Sequence, residues 1–261
     1  MEIKNYTLGR GKIHFSRFKP GGLYVPAGYR YIGNTPSVAL TFEEQELTHM
    51  NSDEGIREED DSVTLEVTRT GALVTDNMSA ENIALFMLGS ETNLTQTVVA
   101  SDTETLEGVI AGHSYRLGVT STNPTGYFGI SPTGFAVADD TPTTLVDGTD
   151  YTMDFDNGVL TLLEGSALAV TGADLDVTFA VAGSTRTRVI SGNTSVEGSM
   201  MYISKNPKGT DSTILIPWVK VMPAGDLELK SDDWQQLPLN LRILKRPGLE
   251  AVYRDGVPVY S

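Results

Sequence analysis

The chain of 261 residues is predicted to be mainly antiparallel β, with one α-helix and a long acidic arm between two strands. Short runs of alternating apolar and polar residues recur along it, turn signals rich in Asn, Pro and Gly separate them, and only one stretch has a helical pattern. A chain of this length buries roughly 70–75% of its unfolded surface, so one self-sufficient core, or one core with a large insert, is expected.

Two strand patterns flank the arm. "SVALTFEE" (37–44) and "SVTLEVTRTGALV" (62–74) both alternate apolar with polar or small residues, which predicts half-buried antiparallel strands. Between them, residues 43–61 hold nine acidic side chains against Arg57, a net charge of −8 of the −15 of the whole chain. An arm with so much charge and so few apolar residues is expected to be poorly ordered until it docks.

The single predicted helix covers residues 79–88. Ser79 is a suitable N-cap, and Gly89 is suited to end the helix in a left-handed conformation. The apolar residues predicted to share the face that covers the sheet are Ile83, Phe86 and Met87.

Residues 91–190 differ in composition from the flanking segments and are predicted to form a β-rich insert or extension. Thr, Gly, Ala and Asp dominate this stretch, and "DFDNGVL" (154–160) predicts a tight hairpin turn because Asn-Gly accepts positive φ angles. Longer strands return after it, and Asp255-Gly256 is predicted as the turn of a last hairpin. The predicted organisation is therefore a β domain, begun by residues 1–90 and closed by residues 191–261, around an insert.

Composition and motifs argue against several function classes. A net charge of −15 argues against a surface that grips nucleic acid. The absence of cysteine removes disulfides and thiolate chemistry, the three histidines are scattered singly, and the spacings of known catalytic and phosphate-binding motifs are missing. We expect no enzyme activity, no cofactor and no metal. The longest apolar run, residues 83–88, is far shorter than a membrane span, and the start lacks a secretion-signal pattern, so a soluble chain is expected.

Two long segments resemble a known family. "GNTPSVALTFEEQELTHMNSDEGIREEDDSVTLEVTRTGALVTDNMSAENIALFMLGS" (33–90) and "VISGNTSVEGSMMYISKNPKGTDSTILIPWVKVMPAGDLELKSDDWQQLPLNLRIL" (189–244) resemble the major tail tube proteins of bacteriophages with long, non-contractile tails. The resemblance implies a β-barrel or β-sandwich with a flanking helix and a projecting loop. It also implies hexameric rings that stack head to tail into a hollow tube, the tail tube of the virion, made in the host bacterial cytoplasm.

The same resemblance implies a set of partners. They are other copies of the chain, a tape-measure protein in the lumen, and tail terminator and tail tip proteins at the two ends. DNA passes through during genome ejection without specific binding, and an acidic lumen that repels phosphates would suit that passage. No membrane is involved.

In this family the loop between the second and third strands docks on a neighbouring ring, which gives the arm a role. We expect its apolar residues to anchor the contact and its acids to steer it. The predicted interface residues are Glu46, Leu47, Met50, Asp53, Glu54, Ile56, Arg57, Glu58, Glu59, Asp60 and Asp61. Residues 1–31 carry a net charge of +5, and the hypothetical complementary basic segment comprises Lys4, Arg10, Lys12, Arg17 and Lys19.

A binding module is the alternative. A receptor-binding or adhesin-like β-sandwich could hold Ca²⁺ in the acidic stretch "NSDEGIREEDD" (51–61), which is rich in oxygen ligands. The stretch lacks the regular Asp/Asn spacing and closing Glu of a calcium loop.

Overall fold

The structure, a computed structural model, describes residues 6–53, 55–139, 144–166 and 173–256. These residues form sixteen strands and one helix, which confirms the mainly β class with antiparallel sheets. In chain order the elements are β1 (Gly11–Arg17), β2 (Arg30–Tyr31), β3 (Ser37–Asn51), β4 (Glu58–Thr75), α1 (Ala80–Phe86), β5 (Ser90–Gln96), β6 (Val99–Val109), β7 (Ser114–Arg116), β8 (Ile130–Asp139), β9 (Tyr151–Asp154), β10 (Val159–Leu162), β11 (Ala173–Val181), β12 (Ser184–Ile190), β13 (Val196–Ser204), β14 (Ser212–Pro223), β15 (Leu237–Ile243) and β16 (Tyr253–Gly256).

The chain divides into two compact units. The first comprises Met1–Thr92 with Arg188–Ser261, and the second comprises Asn93–Thr187. Each has a hydrophobic core of its own.

The first unit is built on one eight-stranded antiparallel sheet. Its strand order is β2-β1-β13-β14-β15-β4-β3, and β16 pairs with the first half of β14 beside β15. The start of β3 and parts of β1, β13 and β14 line one cavity of about 630 Å³. The sheet is therefore curled, so that its β3 end approaches the opposite end.

The core of the first unit lies on the face of the sheet that α1 covers. It draws alternate residues from the central strands, as expected for strands with one covered face. Its largest fully buried side chains are Ile13, Phe15, Ile32, Leu73, Leu85, Ile216 and Leu239.

The helix begins where the sequence predicts it, but its most buried side chains are not the predicted ones. The Ser79 hydroxyl accepts a hydrogen bond from the Asn82 backbone N–H at 3.3 Å, which confirms the N-cap. The fully buried helical residues are Asn82, Ala84 and Leu85. Of the predicted face, Phe86 packs against the core and Ile83 is half-buried, but Met87 is exposed, so the prediction is wrong for Met87. The physical reason is a pair of hydrogen bonds. The Asn82 side-chain amide donates to the backbone carbonyls of Ile32 and Asn77, and these bonds hold the Asn82 side of the helix inward.

The end of the helix also differs from the prediction. Leu88, with φ of 54°, takes the left-handed conformation that was expected of Gly89. Gly89 is required for a different reason, since a Cβ there would lie 1.8 Å from the Ile190 carbonyl oxygen. The glycine allows two backbone segments to pass in contact.

The second unit contains two three-stranded antiparallel sheets, β6-β11-β8 and β7-β10-β9. The β9–β10 hairpin is confirmed, with Val159 opposite Asp154 and Gly158 at φ of 66° in the turn. The core of the second unit includes Leu160, Leu175, Val177 and Phe179. Strands β12 and β5 form a separate two-stranded sheet.

The predicted C-terminal turn is wrong. Asp255 and Gly256 lie inside β16, opposite Thr213 and Ser212 of β14. A strand partner that is about forty residues away in sequence overrides the local turn signal.

Removal of the second unit is expected to leave the first unit folded, because every residue of the first core lies in the first unit. The Thr187 hydroxyl donates to the Asn93 side chain at 3.3 Å, so the second unit begins and ends at neighbouring positions. We expect replacement of residues 93–187 by Asn-Gly, a tight hairpin turn, to give a protein with β-sheet circular dichroism and a cooperative thermal transition. Residues 93–187 expressed alone are the control and should also fold. Aggregation of the shortened protein under conditions where the full chain is soluble would contradict the independence of the two cores.

Candidate assembly interface

The predicted arm is a long β-hairpin. Strands β3 and β4 pair from Ser37 opposite Val74 out to Asn51 opposite Glu58, so most residues predicted as a poorly ordered loop are paired strand residues. That expectation is wrong because the ladder hydrogen bonds and the cross-strand side-chain contacts continue through the acidic stretch.

The outer part of this hairpin extends beyond the sheet. Residues Thr70–Thr75 of β4 pair with β15, but residues 58–69 pair with β3 alone among the strands described. We call residues 42–69 the acidic ribbon. Its β3 strand, Phe42–Asn51, reaches roughly 33 Å at ~3.3 Å per residue.

The acidic ribbon exposes apolar side chains along most of its length. Every described residue from Thr41 to Val67 is exposed, including Phe42 at 57%, Leu47 at 61% and Ile56 at 79%. An isolated two-stranded hairpin is at best marginally stable in water, and contiguous exposed apolar surface rimmed by polar groups marks interaction sites. The ribbon therefore has the composition of a surface that another molecule covers.

Both faces of the ribbon carry apolar residues. Phe42 and Val67 lie on one face, because Glu44, two residues after Phe42 on the same strand, is opposite Val67. A register shift between Gln45 and Glu46 inserts Leu65 as an extra residue on β4, and the next apolar pair, Leu47 opposite Val63, lies on the other face. A partner that wraps the ribbon, or contacts both of its sides, would bury both sets.

The ribbon's negative charge is not neutralised by lysine or arginine within the described residues. The closest polar contacts of its acids are Asp60 with His49 at 2.5 Å and Glu44 with the Thr64 hydroxyl. Acids elsewhere in the described part do form lysine ion pairs, as Glu197 does with Lys220 at 2.7 Å. The ribbon charge is thus left to solvent or to a cationic partner.

The structure brings the predicted arm residues together on this one feature. Glu46, Leu47 and Met50 lie on β3, Asp53, Ile56 and Arg57 in the connection, and Glu58, Glu59, Asp60 and Asp61 on β4, while Glu54 lies outside the described residues. The sequence interpretation missed four exposed apolar residues, Phe42, Val63, Leu65 and Val67. Their alternation is visible in the sequence, where it predicts half-buried antiparallel strands and not an exposed ribbon.

Residues 6–251 match the family described as "Protein of unknown function UCP028589". The chain belongs to this family. The matched range spans the acidic ribbon, the second unit and most of the first unit. No curated protein matches the sequence.

In this family member the predicted basic segment does not form one patch. Strand β1 begins at the end of the sheet toward which the ribbon tip projects, since Gly11 pairs with Ser204 and Arg17 with Gly198 along β13. Arg10 and Lys12 therefore lie toward the ribbon's own end, whereas Arg17 and Lys19 lie toward the other end. Lys4 is outside the described residues.

Arg17 has an internal role. Its guanidinium donates two hydrogen bonds of 3.0 Å to the Gly89 carbonyl oxygen, next to the helix end. Partial burial lowers the pKa of Arg17, and Glu91 opposes that shift. Because the guanidinium is already bonded within the unit, Arg17 is a poor candidate for an intermolecular contact.

Neither a metal site nor a membrane-spanning helix is found in the part of the chain that the structure describes. His, Asp and Glu side chains there nowhere converge in groups of three or more that could hold a metal ion. The helix found in this part of the chain is too short to cross a membrane.

Proposed function

We propose that this chain is a structural protein that polymerises head to tail, and specifically the major tail tube protein of a bacteriophage with a long, non-contractile tail. The observation that carries the proposal is the acidic ribbon, which projects roughly 33 Å from the sheet with exposed apolar residues on both faces. The resemblance of residues 33–90 and 189–244 to that family supports it.

The polarity of the first unit supports an open-ended assembly. The ribbon projects from one end of the sheet, and in a head-to-tail stack the surface that receives it lies at the other end of the neighbouring copy. A contact between two different surfaces is heterologous, and where copies stack along one axis it repeats without closing and produces a filament. Stacked hexameric rings around a tape-measure protein, with terminator and tip proteins at the ends, are the form of that filament in the family it resembles.

In this proposal the tube resides in the virion and conducts DNA during ejection without binding it specifically. The acidity of the chain supports this role, because carboxylates do not form the salt-dependent phosphate contacts that lysine and arginine make. The protein performs no catalysis in this role.

Negative-stain microscopy of the purified protein tests the proposal. Rings or hollow tubes with an axial repeat are the expected result, and their formation should rise with protein concentration. Dispersed monomers at all concentrations, together with calcium or glycan binding measured by calorimetry, would instead support the receptor-binding or adhesin-like alternative.

A further inference from the structure

A tryptophan at one end of the first unit's sheet is almost fully exposed to solvent. The loop of residues 224–236 joins β14 to β15, and in it Trp234 is 87% exposed and Leu229 79% exposed. Tryptophan is rarely left uncovered in a folded protein, and it is enriched among the residues that dominate binding energy at interfaces. The loop is therefore a strong candidate for a contact with another molecule.

Hydrogen bonds order the backbone of the loop that carries this tryptophan. The Gln235 side-chain amide donates to the Glu228 carbonyl at 2.8 Å, and the Trp234 backbone N–H donates to the Asp233 carboxylate at 2.7 Å. At the base of the loop, the Ala224 N–H donates to the Pro238 carbonyl at 3.0 Å. A loop ordered before binding loses little conformational entropy when it docks.

The tryptophan loop is also acidic. Asp226, Glu228, Asp232 and Asp233 outnumber Lys230, which leaves a net charge of −3. Within the described residues none of these five side chains forms an ion pair.

The opposite end of the same strands is basic and has exposed apolar residues. Lys205 and Lys208 lie in the turn between β13 and β14, beside Arg10 and Arg254, and all four are exposed and outside the ion pairs of the described chain. With Asp211 and Asp255 included, and the acidic ribbon left out, the residues around this turn carry a net charge of +2.

The exposed apolar residues at this basic end are Tyr6 and Leu8. The Leu8 N–H donates to the Lys208 carbonyl at 3.0 Å, and the Lys208 ammonium lies 5.8 Å from the centre of the Tyr6 ring. Tyr6 is 65% exposed, so an aromatic ring from another molecule can reach it. We call Tyr6, Leu8, Lys205 and Lys208 the basic patch.

The tryptophan loop and the basic patch cannot meet within one chain. They lie beyond the two ends of β14, whose twelve residues extend roughly 40 Å at ~3.3 Å each. Copies aligned head to tail bring the two surfaces together, and their charges are of opposite sign. The acidic ribbon projects from the basic end, because the other end of β4 pairs at Leu237, directly after the tryptophan loop. The acidic ribbon and the basic patch therefore face the same neighbouring copy.

We propose that Trp234 of one copy packs on Tyr6 and Leu8 of the next copy, with Lys205 and Lys208 opposite the acids of the tryptophan loop. The proposal rests on the head-to-tail assembly proposed above and adds a second contact to it, separate from the ribbon. The indole contributes apolar area and an aromatic face for the lysines, and the charges set the orientation.

The first test compares Trp234→Ala with Val98→Ala, a control at an apolar position of the second unit that is 71% exposed. Truncation of a tryptophan at the centre of an interface is expected to raise the critical concentration for assembly by about 30-fold, whereas the control leaves it unchanged. Both changes are on the surface, so circular dichroism and the thermal transition should match those of the unmodified protein.

The second test uses the absence of cysteine in the chain. A variant with Trp234→Cys and Leu8→Cys is expected to form disulfides between copies on oxidation, which give a ladder of covalent oligomers on a denaturing gel. Each single variant should give at most a dimer. Because the two sites lie at opposite ends of the sheet, a bond within one chain cannot produce this ladder.

The outcomes separate this inference from the proposed function. If the unmodified protein forms tubes, but Trp234→Ala assembles at the same concentration and the paired cysteines give no ladder, the tryptophan contact is wrong and the tube proposal stands. If the unmodified protein forms neither rings nor tubes, the proposed function fails and the contact fails with it.

Discussion

A chain that lacks residues 46–65 is expected to remain a folded monomer and to form no tubes at any concentration. Gln45 and Glu66 are directly opposed across the hairpin, so Asn-Gly between them closes the shortened strands with a two-residue turn. The deleted residues are all exposed where they are described, and the hydrophobic core contains none of them. Their removal therefore takes away interface without taking away packing.

The thermal transition of this variant should stay within a few degrees of that of the full chain, since changes at exposed positions rarely alter stability by more than about 0.5 kcal/mol each. Light scattering and negative-stain microscopy measure the loss of assembly. A matched point variant, Leu47→Ser with Ile56→Ser, retains the ribbon but removes two of its exposed apolar side chains, and it should weaken assembly strongly. Normal polymers from the deleted chain would show that the ribbon is not the contact between copies.

Reversal of four ribbon acids is expected to block assembly nearly as completely. Glu58, Glu59, Asp60 and Asp61 lie consecutively at the start of β4, all exposed, and lysine at each position turns a region of negative potential positive. Like charges forced together at an interface cost several kcal/mol, and the attraction that speeds the encounter is lost. Raised salt should slow assembly of the unmodified protein for the same reason, with screening over ~8–10 Å near physiological ionic strength.

The control variant has the same net charge as the reversed chain, but its four changed acids lie in the second unit. Lysine at Asp102, Glu107, Asp156 and Glu164, exposed acids of the second unit, makes the same change in net charge and should leave assembly intact. Loss of assembly in both variants would mean that total charge, and not the ribbon, controls polymerisation.

A compensating change identifies the cationic partner of the ribbon. The exposed cations Lys19 and Lys230 lie toward the end of the sheet opposite the ribbon tip, whereas Arg10 and Lys12 lie at the ribbon's own end. In a head-to-tail stack only the first pair can face a neighbour's ribbon. Lys19→Glu with Lys230→Glu should partly restore tubes to the reversed chain, and Arg10→Glu with Lys12→Glu should not. The opposite result would invert the proposed direction of stacking.

Much of the local structure follows from short-range patterns in the sequence. The alternation in residues 37–44 and 62–74 predicts β3 and β4, Asn157-Gly158 predicts the β9–β10 turn, and Ser79 predicts the start of α1. These predictions hold because each depends on neighbours in the chain: the pleat of a strand, the φ angles of a turn, or the unpaired N–H groups of a first helical turn.

The tertiary structure decides which apolar residues are covered. Leu73 and Val67 belong to the same alternating strand, yet Leu73 is buried in the core and Val67 is exposed on the acidic ribbon. The difference is that β4 passes from a strand inside an eight-stranded sheet to a two-stranded ribbon at Thr70, where pairing with β15 ends. The alternation of apolar and polar residues along a strand shows only that one face of the strand is apolar. Whether that face contacts the chain's own core or another chain depends on strand partners that are distant in sequence. Strand pairing also separates Arg10 and Lys12 from Arg17 and Lys19, because it decides which residues of β1 lie at which end of the sheet.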